Sequence, residues 1–143
     1  MYKKILIPLD NSVTDKTILD HIISLARLTA SEVVLVHVAD GFGARLQSQL
    51  NLEDSEEIKK DQAYLDQQCA ALIAKGIKAK ALLVQGKEPG LAILTIANQE
   101  ACDLIAMATH GHGFVKDVIL GSVADYLRHN TDIPILMMRS SSK

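Results

Sequence analysis

The chain has 143 residues, two cysteines and a formal net charge of −2 at pH 7, and its length predicts a single domain over residues 1–143. With 3% aromatic residues and no tryptophan, this charge balance argues against a nucleic-acid-binding surface. No signal peptide is visible, and no apolar run approaches the ~20 residues that a membrane helix needs. We therefore expect a cytoplasmic protein that does not bind membranes or nucleic acid.

Five apolar runs predict strands. Four of them are rich in valine and isoleucine and do not alternate with polar residues, which is typical of strands that are covered on both faces. The third alternates at its start, so we place it at an exposed edge of the sheet. The runs are residues 5–8, 33–38, 77–84, 104–108 and 135–138.

Helical periodicity fills the four gaps between these strands, over residues 15–29, 55–75, 88–99 and 122–129. In the first helix, Ile18 and Ile22 lie on one apolar stripe. Ser12 with Asp15, or Asn11 with Thr14, is a candidate N-terminal cap. The dipeptide Gly121-Ser122 directly precedes the last helix.

The alternation of strands and helices predicts a doubly wound α/β fold. We expect a five-stranded parallel sheet in the order 3-2-1-4-5, with helices on both faces. Ligands of such sheets bind beyond the carboxyl ends of the strands, where the strand order reverses. In this order the reversal lies beside the first strand, so Pro8 to Asp10 and Met107 to Gly111 should border one crevice. Residues 39–54 are poorly patterned and are predicted to form a mobile flap over it.

The segment from Met107 to Ser122 predicts an anion site. A strand is followed there by a loop that contains Gly111, and then by Gly121-Ser122 at the start of a helix. Glycine lets the backbone approach a ligand closely, and the free N–H groups at a helix start attract phosphate. An ordinary N-terminal cap with the Ser122-x-x-Asp125 pattern is the alternative.

Several catalytic and metal chemistries are disfavoured. A phospho-acceptor role for Asp10 needs further acids nearby. A zinc site at His110 and His112, with His37, lacks a fourth ligand at suitable spacing. Neither Ser12 nor Ser122 has a nucleophile elbow. We therefore predict no metal ligands, no catalytic residues and no efficient catalysis.

The sequence resembles the universal stress protein family. The resemblance covers nearly the whole chain and includes the opening from Tyr2 to Asp10, the strand that ends in His37-Val38, and the terminal Ile-Pro-Ile-Leu-Met. Gly111, nine further residues and Gly121-Ser122 match the motif of the nucleotide-binding branch. Ala108 stands where that motif has its first glycine.

The resemblance implies a concrete site. Asp10 would contact ribose and adenine, Pro8 would shape that tip, and the backbone of Val38 would hold adenine. A divalent ion such as Mg²⁺ would be held by the phosphates and water. The implied binding residues are Pro8, Asp10, Val38, Gly86, Met107, Ala108, His110, Gly111, Gly121, Ser122 and Val123.

The implied function is the binding of ATP or another adenine nucleotide in a regulatory stress response, with at most slow ATP hydrolysis. The resemblance also implies a homodimer joined through the last strand, Ile135 to Met138. An apolar edge strand invites such pairing on physical grounds as well. The alternative is a dimeric stress-response interaction module without a nucleotide, in which Ala108 marks a lost site.

Overall fold

The computed structural model describes residues 1–40, 52–110 and 116–140. Strands and helices alternate along these residues. Their bounds are β1 Lys4–Pro8, α1 Thr14–Thr29, β2 Glu32–Asp40, α2 Leu52–Ala74, β3 Ala79–Gly86, α3 Pro89–Gln99, β4 Leu104–His110, α4 Lys116–Asn130 and β5 Ile135–Ser140. Every predicted strand and helix is present, and most ends differ from the prediction by one to three residues.

All neighbouring strands run parallel, in the order β3-β2-β1-β4-β5. This confirms the predicted α/β fold and its strand order. Leu6 of β1 pairs with Val34 of β2 on one side and with Ile105 of β4 on the other. Strand order therefore reverses beside β1, and the carboxyl ends of β1 and β4 meet at the same edge of the sheet.

Each face of the sheet carries its own apolar core. Ile5 and Ile7 of β1 pack on one face with α1 and α2, whereas Leu6 packs on the other face with α3 and α4. Successive side chains of a strand point to opposite faces, so a strand covered on both sides needs apolar residues at every position. That requirement explains the uninterrupted apolar runs of the sequence.

Helix α4 begins earlier than predicted. It starts at Lys116 rather than at Ser122, so Gly121 and Ser122 lie within the helix. A single glycine costs only about 1 kcal/mol in a helix interior, and α4 is fixed to the sheet by Val123 and Leu127, which are buried. The amides of Gly121 and Ser122 therefore lie beyond the first turn, where N–H groups bond to carbonyls four residues back.

Two predictions fall wholly or partly outside the described residues. Of the predicted flap at residues 39–54, Ala39 and Asp40 belong to β2 and residues from Leu52 onward belong to α2; residues 41–51 are not described. The loop glycine Gly111 is also outside the described residues. Among the helices that are described, none is long and apolar enough to cross a membrane.

Candidate functional site

A cavity of about 160 Å³ lies at the carboxyl ends of β1, β2 and β4, where strand order reverses. An engineered cavity of about 150 Å³ binds benzene, so this space suits a flat ring system rather than a whole nucleotide. Its walls are mainly apolar. The lining residues are Pro8, Leu9, Asp10, Thr14, Asp15, Val36, His37, Val38, Pro89, Ile93, Met107, Ala108 and Val123.

The structure brings more than half of the sequence-predicted site residues to this cavity. They come from β1, the turn after it, β2, β4 and α4, which are separated along the chain and meet only through the sheet topology. These residues are Pro8, Asp10, Val38, Met107, Ala108 and Val123.

Three of the other predicted site residues, Gly86, Gly121 and Ser122, lie outside this cavity. Gly86 borders a separate groove between β3 and α3, although a Cβ atom placed on it would lie 3.9 Å from Cγ1 of Val38. Gly121 and Ser122 are exposed on α4. His110 is the last residue of β4 and pairs with Ser140 of β5. Gly111 is not described.

Ala108 is accommodated without strain. It lies in the extended backbone of β4, opposite Met138 of β5. Its side chain is 8% exposed and belongs to the core between the sheet and helices α1 and α2. A methyl group at this position therefore adds to the core while it borders the cavity.

Asp15 organises the turn between β1 and α1. Its carboxylate is buried and accepts hydrogen bonds from the backbone N–H groups of Asp10 (3.2 Å) and Asn11 (2.9 Å). The hydroxyl of Tyr64 on α2 donates a third bond to the same carboxylate, at 2.7 Å. The prediction that Ser12 or Asn11 caps α1 is wrong, because Val13 occupies the N-cap position and makes no side-chain cap bond.

The turn itself has an unusual backbone. Asn11 adopts a φ of 62°, in the left-handed region that asparagine tolerates better than most residues. The carboxylate of Asp10 accepts bonds from the hydroxyl of Ser12 and, at 3.1 Å, from its backbone N–H. Local bonds and the bonds to Asp15 together fix the position of Asp10 at the rim of the cavity.

Burial and, to a smaller extent, the charge of Asp10 raise the pKa of Asp15 from the usual 3.8 to about 6. The bond from Tyr64 acts in the opposite direction because it stabilises the ionised carboxylate. Burial also raises the pKa of Tyr64, as does its bond to Asp15. Asp15 is therefore partly protonated in mildly acidic solution, whereas the phenol of Tyr64 stays neutral.

Helix α2 supports the site at a second point. His37 donates from Nδ1 to the carbonyl of Leu9 (2.8 Å), and its Nε2 lies 3.3 Å from Oδ2 of Asp61. The side-chain amide of Asn11 donates to Oδ1 of Asp61 at 3.3 Å. Asp61 thus joins the end of β2 to the turn after β1.

Asp15 was not predicted as a site residue, although the sequence contains a signal for it. It lies three residues before Ile18 and seven before Ile22, on the stripe of α1 that is buried. A carboxylate on a buried stripe needs specific partners. Asp61 and Tyr64 carry no comparable signal, because their partners are distant along the chain.

Within the described residues, no group of three or more histidine, cysteine, aspartate or glutamate side chains is arranged to hold a metal ion. His112, which belongs to the zinc alternative, is outside those residues.

Comparisons with known proteins point to one family. The model of the universal stress protein family matches residues 1–139. A universal stress protein of Methanocaldococcus jannaschii is 30% identical over 97% of this chain and 96% of its own length. Its solved structure superimposes with a TM-score of 0.85 over 100% of this chain and 99% of that one, at 31% identity.

Two further solved structures share the fold and hold ligands. The universal stress protein from Archaeoglobus fulgidus in complex with dAMP is 21% identical, with a TM-score of 0.68 over 95% of this chain and 97% of that one. A universal stress protein in complex with cAMP is 17% identical, with a TM-score of 0.70 over 98% of each chain.

Proposed function

The chain belongs to the universal stress protein family, and from this premise we propose that it binds ATP or another adenine nucleotide, with the base in the cavity between β1 and β4. The role is regulatory: ligand binding changes the state of the protein for a stress response.

The observation that carries this proposal is the apolar cavity at the reversal of strand order, with a carboxylate at its rim. Val36, Val38 and Met107 offer apolar surface to the faces of a purine ring, and burial of such surface contributes ~25 cal/mol per Å². Asp10 at the rim is an acceptor for ribose hydroxyl groups. Two members of the family that were solved with dAMP and cAMP support an adenine compound as the ligand.

The phosphates extend beyond this cavity, which is too small for them. For Gly121 and Ser122 to cradle phosphates, the first turns of α4 must unwind when the ligand binds, because their amides lie inside the helix. A Mg²⁺ ion would be held by the phosphates and water, as hard oxygen ligands suit it. Bound there, it would neutralise phosphate charge.

We propose binding rather than efficient catalysis, with at most slow hydrolysis of ATP. Two titratable side chains that border the cavity, Asp15 and His37, are committed to structural bonds in the described part of the chain. Asp15 holds the turn, and His37 bonds to Leu9 and Asp61. A general base needs to reach the proton that it removes, and these bonds direct both groups elsewhere.

We also propose a homodimer through β5. This strand is at an edge of the sheet, and Met137 on it is 51% exposed. An unpaired apolar edge favours pairing with a second copy. A dimeric interaction module without a nucleotide is the rival function, and it predicts the same dimer with no ligand.

Titration of the purified protein with ATP, AMP and GTP by calorimetry tests the proposal. We expect ATP or AMP to bind with a micromolar Kd, which corresponds to about 8 kcal/mol, and GTP to bind more weakly. Absence of binding by either adenine nucleotide at millimolar concentration favours the interaction module.

A further inference from the structure

We propose that Asp15 is a positioning residue for the ligand site, and that its ionised carboxylate holds Asp10 in place so that affinity for adenine compounds falls when Asp15 takes up a proton. The inference rests on the proposed function, because it concerns the same cavity and the residue expected to contact ribose.

Asp15 accepts hydrogen bonds from three donors. Two backbone N–H groups of the turn and the Tyr64 hydroxyl all donate to its two oxygens. An ionised carboxylate only accepts hydrogen bonds, whereas a protonated carboxyl must donate one. Protonation therefore weakens at least one of these three bonds. The bonds lost are charge-assisted and roughly twice as strong as neutral ones.

These bonds fix the position of Asp10. The N–H groups that Asp15 holds belong to Asp10 itself and to Asn11, whose φ of 62° is held by the structure around it. Asp10 and Asp15 both border the cavity. When the turn loosens, Asp10 samples other positions and the site loses part of its preorganisation.

Charged and titratable groups from several elements surround Asp15. Asp10 faces it from the turn and Tyr64 from α2, while Asp61 on α2 and His37 on β2 form the neighbouring pair. Burial and the charge of Asp10 raise the pKa of Asp15 to about 6. Its ionisation therefore changes between mildly acidic and neutral solution. His37 also borders the cavity, so it needs its own control.

Adenosine is the ligand that isolates the positioning effect, because it carries no phosphate for Asp15 to repel. Its affinity is measured by calorimetry between pH 5 and pH 8, in parallel with AMP, for the native protein and for Asp15→Asn, His37→Asn and Tyr64→Phe. For a group with a pKa of about 6, about one tenth is ionised at pH 5, so we expect up to about a tenfold weaker affinity there than at pH 7.5.

The variants should separate the possible causes. Asp15→Asn should bind weakly with no pH dependence over this range, whereas His37→Asn should retain a pH dependence with the native midpoint, whatever its absolute affinity. Tyr64→Phe should move the midpoint to higher pH because it removes the bond that favours the ionised form. The inference is overturned if the affinity of the native protein for adenosine does not change with pH. It is also overturned if the pH dependence persists in Asp15→Asn or disappears in His37→Asn.

The ligand-free protein gives an independent readout. In NMR spectra of the native protein, the amide signals of Asp10 and Asn11 should shift with a midpoint near pH 6, and Asp15→Asn should abolish that shift. Failure of adenosine, AMP and ATP to bind at any pH overturns the proposed function, and the inference falls with it. Nucleotide binding without the amide titration overturns only the positioning role of Asp15.

Discussion

The hydroxyl of Tyr64 lies 2.7 Å from Oδ2 of Asp15, and this bond ties helix α2 to the turn that carries Asp10. A carboxylate buried at the start of α1 thereby receives a donor from a residue 49 positions away. Tyr64 does not border the cavity, so a residue outside the lining stabilises the candidate site.

Tyr64→Phe should destabilise the protein more at neutral than at acidic pH. At pH 7.5 the lost bond is one to an ionised carboxylate, which contributes about 1.5–3 kcal/mol. At pH 4.5 the carboxyl is mostly protonated, and we expect a loss of about 1 kcal/mol. Urea unfolding at both pH values measures the difference. Equal losses at the two pH values would show that the bond does not depend on the charge of Asp15.

Asp15→Asn should change the pH dependence of stability. The pKa of Asp15 is raised in the folded protein, from 3.8 to about 6. The protonated carboxyl of Asp15 therefore stabilises the folded state, and this contribution is fully present below pH 3.8 and is lost as the pH rises through about 6. Relative to Asp15→Asn, the native protein should lose up to about 3 kcal/mol between pH 4 and pH 7. Urea unfolding across this range tests it, and parallel curves for the two proteins would contradict it.

Gly90 and Gly121 provide a matched pair of glycine-to-alanine changes in helices. A Cβ atom on Gly90 would lie 2.8 Å from Cδ1 of Tyr126, so Gly90→Ala should force α3 and α4 apart and cost about 1–3 kcal/mol. A Cβ atom on Gly121 meets nothing within 4 Å. Gly121→Ala should therefore stabilise the protein by up to about 1 kcal/mol, because alanine favours the helix. Thermal unfolding of both variants checks the opposite signs.

Met137→Lys should convert the proposed dimer to monomers. A charged residue on an edge strand opposes pairing, and Met137 is exposed enough to accept lysine without loss of the fold. Leu136 is less suitable, because it packs against the core beside α1 and α2. Sedimentation velocity of the native protein and Met137→Lys measures the change. Leu28→Lys is the control, since Leu28 is 84% exposed and lies at the end of α1. A native monomer, or an unchanged Met137→Lys dimer, would contradict the interface.

The fold was predictable because local pattern and topology agree. A strand such as β2 must be apolar at successive positions when helices cover both faces, and residues 33–38 show this directly. The rules of parallel sheets then predict that Pro8 and Met107 lie at one edge. That reasoning needs no knowledge of side-chain contacts.

Two features of the site were beyond such reasoning. Gly121-Ser122 has the residue types of a helix start, yet α4 begins at Lys116 and includes both residues. The cost of one glycine inside a helix is small and does not prevent the helix from starting earlier. The bond between Tyr64 and Asp15 depends on how α2 packs against the sheet. Tertiary packing of this kind leaves no local pattern in either segment.

The most direct test of the central claim, that the cavity between β1 and β4 holds an adenine base, is calorimetric titration of AMP into Val38→Phe. The larger side chain would occupy much of the space of about 160 Å³ that Val38 borders. Val13→Phe is the matched control, because Val13 is 82% exposed and is not among the lining residues. We predict that Val38→Phe loses AMP binding at least tenfold while Val13→Phe binds as the native protein does. Equal affinity of all three proteins for AMP would place the base elsewhere.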